Sequence, residues 1–399
     1  MEGTGYRRFL RPLAAGLSLS AVYVAVVAIP LDAAAGSGLT AAETSAWIFA
    51  VWGLPAVLTI ILTIRYRQPI PITGNIFILI FVLSLGGELS WSELVGATVV
   101  AGAFVLLLGL TGLTHRLAQL LPSPIVYGLL AGAILDPLLS ESITSLGAST
   151  LLVGSTFLAY FLSAAFLGQR VPALLSALVV GVIVALVSSE MGPAPDLAWP
   201  QVTLTAPDFT FEALVTATPV LVIFITLQAN APSLVYLRSQ DFDPPERALS
   251  FVSGAGTMLG SAFGPMGVSL SLPASALVAG PDAGGHEGRH WAAHIAAGAS
   301  VLVALSAGFA IQLLEFIPEA LLDAVVGLAA LTILTRALAE VTRGPLILGP
   351  VVAFAVAVSE LQLLGLGRFF WAILFGVGVS LLLERKQWSE IEVAPTKPG

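Results

Sequence analysis

Two kinds of chemistry are spelled out by short stretches of this chain. In "HEGRHWAAH" (286–294), His286, Glu287 and His290 have the H-E-x-x-H spacing of zinc proteases, and His294 follows four residues later. On a helix the two histidines would share a face and hold a metal, with Glu287 as the base. The preceding "GPDAGG" instead puts His286 and Glu287 in a loop. A membrane zinc protease using His286 and His290 is therefore the rival reading from another class. The second kind is polar backbone in apolar surroundings. "RYRQPIPITGNIFILI" (65–80) sets two prolines, Gly74 and Asn75 between a basic pair and an apolar run, and "FGPMGVSLSLPASALVAG" (263–280) is broken in the same way. Gln228 and Asn230 are amides in a third apolar run, Asp323 is an acid in a fourth, and Tyr23 is an aromatic in the first.

The elements that must position these residues are membrane helices. The chain is 57% hydrophobic and only 10% charged, with a mean hydropathy of +0.96. Soluble domains carry about 25% charged residues. The net charge of −8 and the lack of a basic patch argue against a nucleic-acid partner. With no cysteine, disulfides, thiolate metal sites and cysteine nucleophiles are excluded. Apolar segments lie near 13–31, 45–64, 70–86, 92–112, 122–138, 151–167, 171–188, 213–236, 248–263, 266–280, 291–313, 318–335, 346–359 and 367–383. The first imitates a signal peptide but is longer than the usual h-region, so it reads as a span. With the amino terminus inside, fourteen spans put 15 of the 16 basic residues on the cytoplasmic side, Arg170 and Lys397 among them; only Arg368 falls outside. The outer loops collect acids, including Glu88, Asp136, Asp196, Glu212 and Glu360. The positive-inside rule thus predicts fourteen spans with both termini cytoplasmic.

An internal repeat is visible. "LLPSPIVYGLLAGAIL" (120–135) resembles "FIPEALLDAVVGLAAL" (316–331), with Pro318 lying 196 residues after Pro122. The two broken segments correspond at nearly the same offset. Seven spans per half is odd, so residues 1–190 and 205–385 are expected to be inverted repeats, joined by the loop near 189–212. Non-helical backbone persists in a bilayer only where it is buried or lines a cavity. Each broken segment is expected to enter extended and turn helical near the centre, at Gly74–Asn75 and at Leu272–Pro273. Two helix amino termini with free N–H groups would then face a common gap, an anion site without arginine. Asp323 is either a functional acid or a side chain reaching to the outer mouth.

The runs "TLQANAPSLVYLRSQDFDPP" (226–245), "FGPMGVSLSLPASALVAGPDAGGHEGRHWAA", "RYRQPIPIT" and "LPSPIVYGLLAGAI" resemble the benzoate–proton symporter family, over nearly the whole chain. That family is similar in fold to the uracil permease and sulfate-transporter group. The resemblance implies an all-α membrane protein of fourteen spans in two inverted repeats, with half-helices in spans 3 and 10. It implies a core domain of spans 1–4 and 8–11 and a gate domain of spans 5–7 and 12–14, with a homodimer through the gate domain as an expectation. Carried over residue by residue, the substrate site is Thr73, Gly74 and Asn75 in span 3, Gln228 and Asn230 in span 8, and Gly267, Val268 and Ser269 in span 10, with Tyr23 nearby. Uracil permease relatives carry glutamates in spans 8 and 10; this chain has Gln, Asn and Ser there, which argues against nucleobases. Asp323 is then the proton-coupling candidate. The expected function is secondary active transport of a small organic anion such as benzoate, proton-coupled, in the cytoplasmic (inner) membrane, with no enzymatic activity, metal or cofactor. The alternative within the class is an inorganic-anion or dicarboxylate exchanger of the sulfate-transporter type.

Overall fold

A computed structural model of the chain describes residues 3–135, 141–167, 173–192, 198–309, 312 and 316–388. Asp136, Arg170, Asp196 and Lys397, which entered the charge argument, lie outside the described residues.

The first half contains α1 (Gly3–Val26), α2 (Ala28–Gly36), α3 (Ala41–Tyr66), β1 (Ile72–Gly74), α4 (Ile76–Ser84), α5 (Trp91–Thr111), α6 (Thr114–Leu120), α7 (Ser123–Ile134), α8 (Glu141–Ala148), α9 (Thr150–Leu162) and α10 (Ala173–Val187). The second contains α11 (Phe211–Thr216), α12 (Thr218–Ile223), a π-helical stretch (Phe224–Asn230), α13 (Ala231–Ser239), α14 (Glu246–Gly260), β2 (Val268–Leu270), α15 (Leu272–Ala279) and α16 (His290–Leu305). It ends with α17 (Glu319–Arg343), α18 (Leu348–Val358) and α19 (Arg368–Leu383).

Among the described residues, seven helical runs are long and apolar enough to cross a membrane: Leu10–Gly36, Ala41–Tyr66, Trp91–Thr111, Thr150–Leu167, Phe211–Ser239, His286–Phe309 and Glu319–Arg343. Shorter apolar helices run over Ser123–Ile134, Ala173–Val187, Leu348–Val358 and Arg368–Leu383. The 26 residues of α3 span about 39 Å at 1.5 Å per residue, more than the hydrocarbon thickness of about 30 Å. Polar caps set where the helices begin. Thr40 and Glu43 form a reciprocal capping box on α3, and Ser90 and Glu93 form one on α5. The first apolar run extends beyond the 13–31 expected from sequence, to Leu10–Gly36, with a break at Val27 between α1 and α2.

The helices pack in two groups. In one, α5 lies against α14, α3 against α16, and α16 against α1, with α4 and α15 inside. In the other, α18 packs on α7 and α19, and α17 packs on α7, α8 and α9. The groups meet where α4 touches α7, α2 touches α17 and α11 touches α19. Residues 198–210 have no helix and run as a strap across helix ends. Thr205 N–H donates to the Ala262 carbonyl (2.8 Å) and Asp208 N–H to the Ser92 carbonyl (2.9 Å).

Candidate functional site

The two broken segments meet as a pair of short strands. β1 runs antiparallel to β2, with Ile72 opposite Leu270, Thr73 opposite Ser269 and Gly74 opposite Val268. Asn75 N–H extends the pairing by donating to the Gly267 carbonyl at 2.7 Å. Extended backbone in a bilayer interior must find partners, and here each strand supplies them for the other. Two threonines close the outer edges. Thr59 Oγ1 accepts from Ile72 N–H (2.9 Å) and donates to the Ile72 carbonyl (3.0 Å); Thr257 Oγ1 accepts from Val268 N–H (2.9 Å).

Each strand hands over to a half-helix through a polar cap. Asn75 caps α4, its Oδ1 accepting from the N–H groups of Phe77 (3.0 Å) and Ile78 (3.3 Å). Ser271 caps α15, its Oγ accepting from Ala274 N–H at 3.4 Å. Ser271 lies 196 residues after Asn75, the offset that also relates Pro122 and Pro318, which sit at the N-cap positions of α7 and α17. The two half-helices therefore direct their positive ends toward one crossing.

The structure corrects one expectation: several N–H groups proposed to face the gap are already spent on these caps. Asn75 is 2% exposed, and its Nδ2 also donates to Ser269 Oγ (3.1 Å) and to the Phe224 carbonyl (3.2 Å). Asn230 is equally committed: Oδ1 accepts from Leu270 N–H (2.9 Å) and Nδ2 donates to Ser253 Oγ (3.0 Å). Both amides hold the crossing together. Gln228 differs, because its Oε1 is enclosed without a hydrogen-bond partner. Thr73 and Gly74 are half-buried, whereas Val268 and Ser269 are buried. A side chain at Gly267 would put its Cβ 2.4 Å from Ile78 Cδ1 and 3.1 Å from Asn75 Cβ, so the absence of a Cβ lets the chain entering β2 pass close under α4. Tyr23 packs between the main core and the cluster of Leu19, Ala274 and Val278 beside α15.

Gln228 and Asn230 lie in the π-helical stretch Phe224–Asn230. Pro219 and Pro232 bracket this stretch and disrupt regular helical bonding; Thr226 Oγ1 donates back to the Val222 carbonyl at 2.6 Å. The unwinding exposes the Phe224 carbonyl that Asn75 uses. The Phe224 ring stands 6.0 Å from Phe77 and 6.1 Å from Phe81, and Phe81 in turn meets Phe369 of α19 at 5.0 Å. Aromatic contacts thus run from the crossing to the second helix group. A buried apolar gap beside them is lined by Leu121, Ile125, Leu129, Val220, Phe224 and Ile373.

Asp323 is half-buried near the start of α17, where its carbonyl accepts from Ser142 Oγ, in the helix group away from the crossing. The histidine motif does not form one helical face. His286 sits in a short 3-10 turn, stacks on Phe242 at 4.1 Å and contacts the Asp241 carbonyl through Nε2 (3.2 Å), while His290 opens α16 with Nδ1 on the Glu287 carbonyl (2.8 Å). No cluster of three metal-ligating side chains occurs among the described residues. Sequence reasoning missed Thr59, Thr257, Ser253 and Ser271; the signal for Ser271 was its 196-residue relation to Asn75.

Two half-helices that meet at one crossing inside a bundle of apolar helices mark a polytopic membrane protein, and its family and fold are those of a membrane transporter rather than an enzyme. The family model described as "Benzoate membrane transport protein" (BenE) matches residues 10–382, and the chain belongs to that family. It is 28% identical over 385 residues to "Inner membrane protein YdcO" of Escherichia coli (strain K12), covering 94% of this chain and 97% of that one. It is 26% identical over 341 residues to the "Benzoate membrane transport protein" of Acinetobacter baylyi, covering 83% and 84% respectively. Among solved structures, the transmembrane domain of a cyanobacterium bicarbonate transporter, BicA, superposes with a TM-score of 0.59 at 16% identity, covering 88% of this chain and 98% of that chain. SLC26A9 superposes with a TM-score of 0.61 at 14% identity, covering 96% of this chain and 66% of that one. These likenesses establish the fold. Family membership sets aside the zinc-protease alternative.

Proposed function

We propose that this protein is a secondary active transporter of a small organic anion, an aromatic monocarboxylate such as benzoate, moved together with protons across the cytoplasmic membrane. Fourteen spans in two inverted repeats would form the scaffold. The group built on α1–α5 and α11–α16 would act as the core, and the group built on α7–α10 and α17–α19 as the gate it moves against. The observation that carries the reading is the β1–β2 pairing, with Asn75 and Ser271 capping helices on either side of one crossing. The described basic side chains lie outside the strands and half-helices that form this crossing, so a substrate's charge is met by the helix ends. The N–H groups of Ile76 and Leu272, first in the two half-helices, are outside the side-chain caps. A partly buried helix end contributes up to about 2 kcal/mol, and a hydrogen bond to a charged acceptor about 1.5–3 kcal/mol. That suits one carboxylate, while a dianion would keep an uncompensated charge. Gln228, whose Oε1 has no protein partner, would meet the carboxylate with its Nε2–H donors, Tyr23 would flank the aromatic body, and Asp323 would carry the coupled proton. The relative named as a benzoate membrane transport protein supports the substrate class.

Uptake into proteoliposomes is the test. Labelled benzoate should be taken up and competed by aromatic monocarboxylates, and not by their neutral amides. Equal competition by amides or nucleobases would remove the anion site; selective uptake of bicarbonate, sulfate or dicarboxylates would favour the exchanger alternative.

A further inference from the structure

Arg368 is the one basic residue that the charge pattern leaves on the outer side. It is also the first residue of α19, where a cation opposes the helix dipole. Its environment accounts for the placement. Arg368 is only 9% exposed; its Nη2 donates to the Ser84 carbonyl at the end of α4 and lies 3.6 Å from Glu88 Oε1. The guanidinium lies 5.0 Å from the Phe369 ring centre, and its Nε has no partner. Glu88 is in the turn between α4 and α5, on one side of the boundary between the helix groups, and Arg368 is on the other. Glu212 of α11 and Glu360, which follows α18, both act electrostatically on Glu88. Gly367 and Thr216 line the same junction: a Cβ at Gly367 would stand 3.2 Å from Thr216 Cγ2 and 3.7 Å from Glu88 Oε2.

Arg368 therefore joins the two groups through Glu88, and Glu212 and Glu360 add negative charge that Glu88 feels. Separating the groups would hydrate Glu88 and carry Arg368 and Glu360 away from it, while Glu212 stays on its side; burial outweighs the Arg368 attraction and Glu360 adds to burial, so the Glu88 proton is held more tightly when the groups are together. We propose that Arg368 and Glu88, with Glu212 and Glu360 acting on Glu88 through their charge, form a proton-binding latch at the outer mouth, and that acid on the outside favours its closed form. Burial, first, and the two neighbouring carboxylates push the Glu88 carboxyl above its ordinary range, while Arg368 opposes them. The sign follows by linkage: the state with the raised value gains stability as pH falls through it. The contacts from Phe369 to Phe81 and Phe224 join this latch to the crossing, whose Asn75 holds the Phe224 carbonyl. Protonation outside would thus favour the closed outer mouth required before release inside. This inference rests on the reading that the two helix groups move against each other.

The test measures distance rather than transport, so it stands apart from the substrate assignment. The chain has no cysteine, so spin labels can be attached at Ser37→Cys and Gln362→Cys and their separation measured by double electron–electron resonance in lipid nanodiscs. The parent should shift to shorter distances between pH 8 and pH 5. Glu88→Gln should hold the short distance at both pH values, and Arg368→Gln should shift toward the long one. Glu360→Gln, a milder change at an exposed position, should lower the transition pH. A parent distribution that does not change with pH, or a Glu88→Gln protein that titrates as the parent does, overturns the proposal. If the distances behave as expected while benzoate uptake fails, the latch stands and only the substrate reading falls.

Discussion

Asn75 and Ser269 lie 194 residues apart in the chain, yet the Asn75 Nδ2 sits 3.1 Å from the Ser269 Oγ. One belongs to the strand-to-helix junction of the first half, the other to the strand of the second. The same asparagine caps α4 and grips the Phe224 carbonyl, so one side chain ties three discontinuous segments together. Losing an Asn cap costs about 0.5–2 kcal/mol, and a buried polar group left unpaired costs about 1–3 kcal/mol more. Asn75→Ala should therefore lower thermal stability in detergent and reduce uptake together. Asn75→Asp should keep the cap but put a carboxylate against the Phe224 carbonyl, impairing uptake more than stability. A thermal-shift series paired with initial uptake rates checks both.

The two amides of the π-helical stretch should separate in their effects. Asn230→Ala leaves Leu270 N–H and Ser253 unpaired and should lower the melting temperature. Gln228→Leu removes an acceptor that has no partner, so stability should hold or rise while substrate affinity falls at least several-fold. Equal loss of stability in both variants would assign Gln228 a structural role.

Gly267 and Gly74 should differ in whether they can be rescued. The Cβ of Gly267→Ala meets the tip of Ile78, so Gly267→Ala with Ile78→Val should recover stability that Gly267→Ala alone loses. The Cβ of Gly74→Ala meets the Val51 carbonyl oxygen at 2.7 Å, a backbone atom, and should not be rescued by trimming Val51. Melting temperatures of the single and double variants provide the readout.

Glu384 should make stability depend on pH. It is 5% exposed and accepts the N–H groups of Ile347 (2.6 Å), Leu348 (2.7 Å) and Gly349 (3.0 Å) at the start of α18, as well as Ser380 Oγ (2.9 Å). Burial alone would push its carboxyl up; these donors outweigh burial and hold it below the ordinary glutamate range. A depressed value stabilises the fold at pH above the unfolded range and is lost as pH falls through the folded value. Glu384→Gln should lower the melting temperature at pH 7 and flatten its decline on acidification.

Topology and coupling can be examined in the cysteine-free background. Ser37→Cys should react with an impermeant reagent in intact cells, and Ser239→Cys should not. Asp323→Asn should weaken pH-driven accumulation more than exchange of internal for external substrate. Parallel changes in both processes would remove Asp323 from coupling.

Much of this protein is written locally. Long apolar runs without charge, Thr40–Glu43 and Ser90–Glu93 as helix starts, and prolines and glycine before Asn75 each act over a few residues, so membrane helices and two interrupted segments are legible without any partner. The 196-residue spacing of Pro122 and Pro318 belongs to the sequence too, because repeated order survives translation along the chain. The fate of each polar atom does not. Asn75, Asn230 and Gln228 look alike as amides in apolar runs, and only the crossing decides that two are saturated and one is not. His286 and His290 carry metal-ligand spacing, yet a 3-10 turn and the Phe242 ring direct them apart from a common helical face. Arg368 looks misplaced until tertiary packing brings Glu88 and the Ser84 carbonyl against it. Helix formation depends on residues three or four apart, whereas hydrogen-bond satisfaction and charge pairing depend on whatever the fold brings within about 3–4 Å, and no local pattern records that.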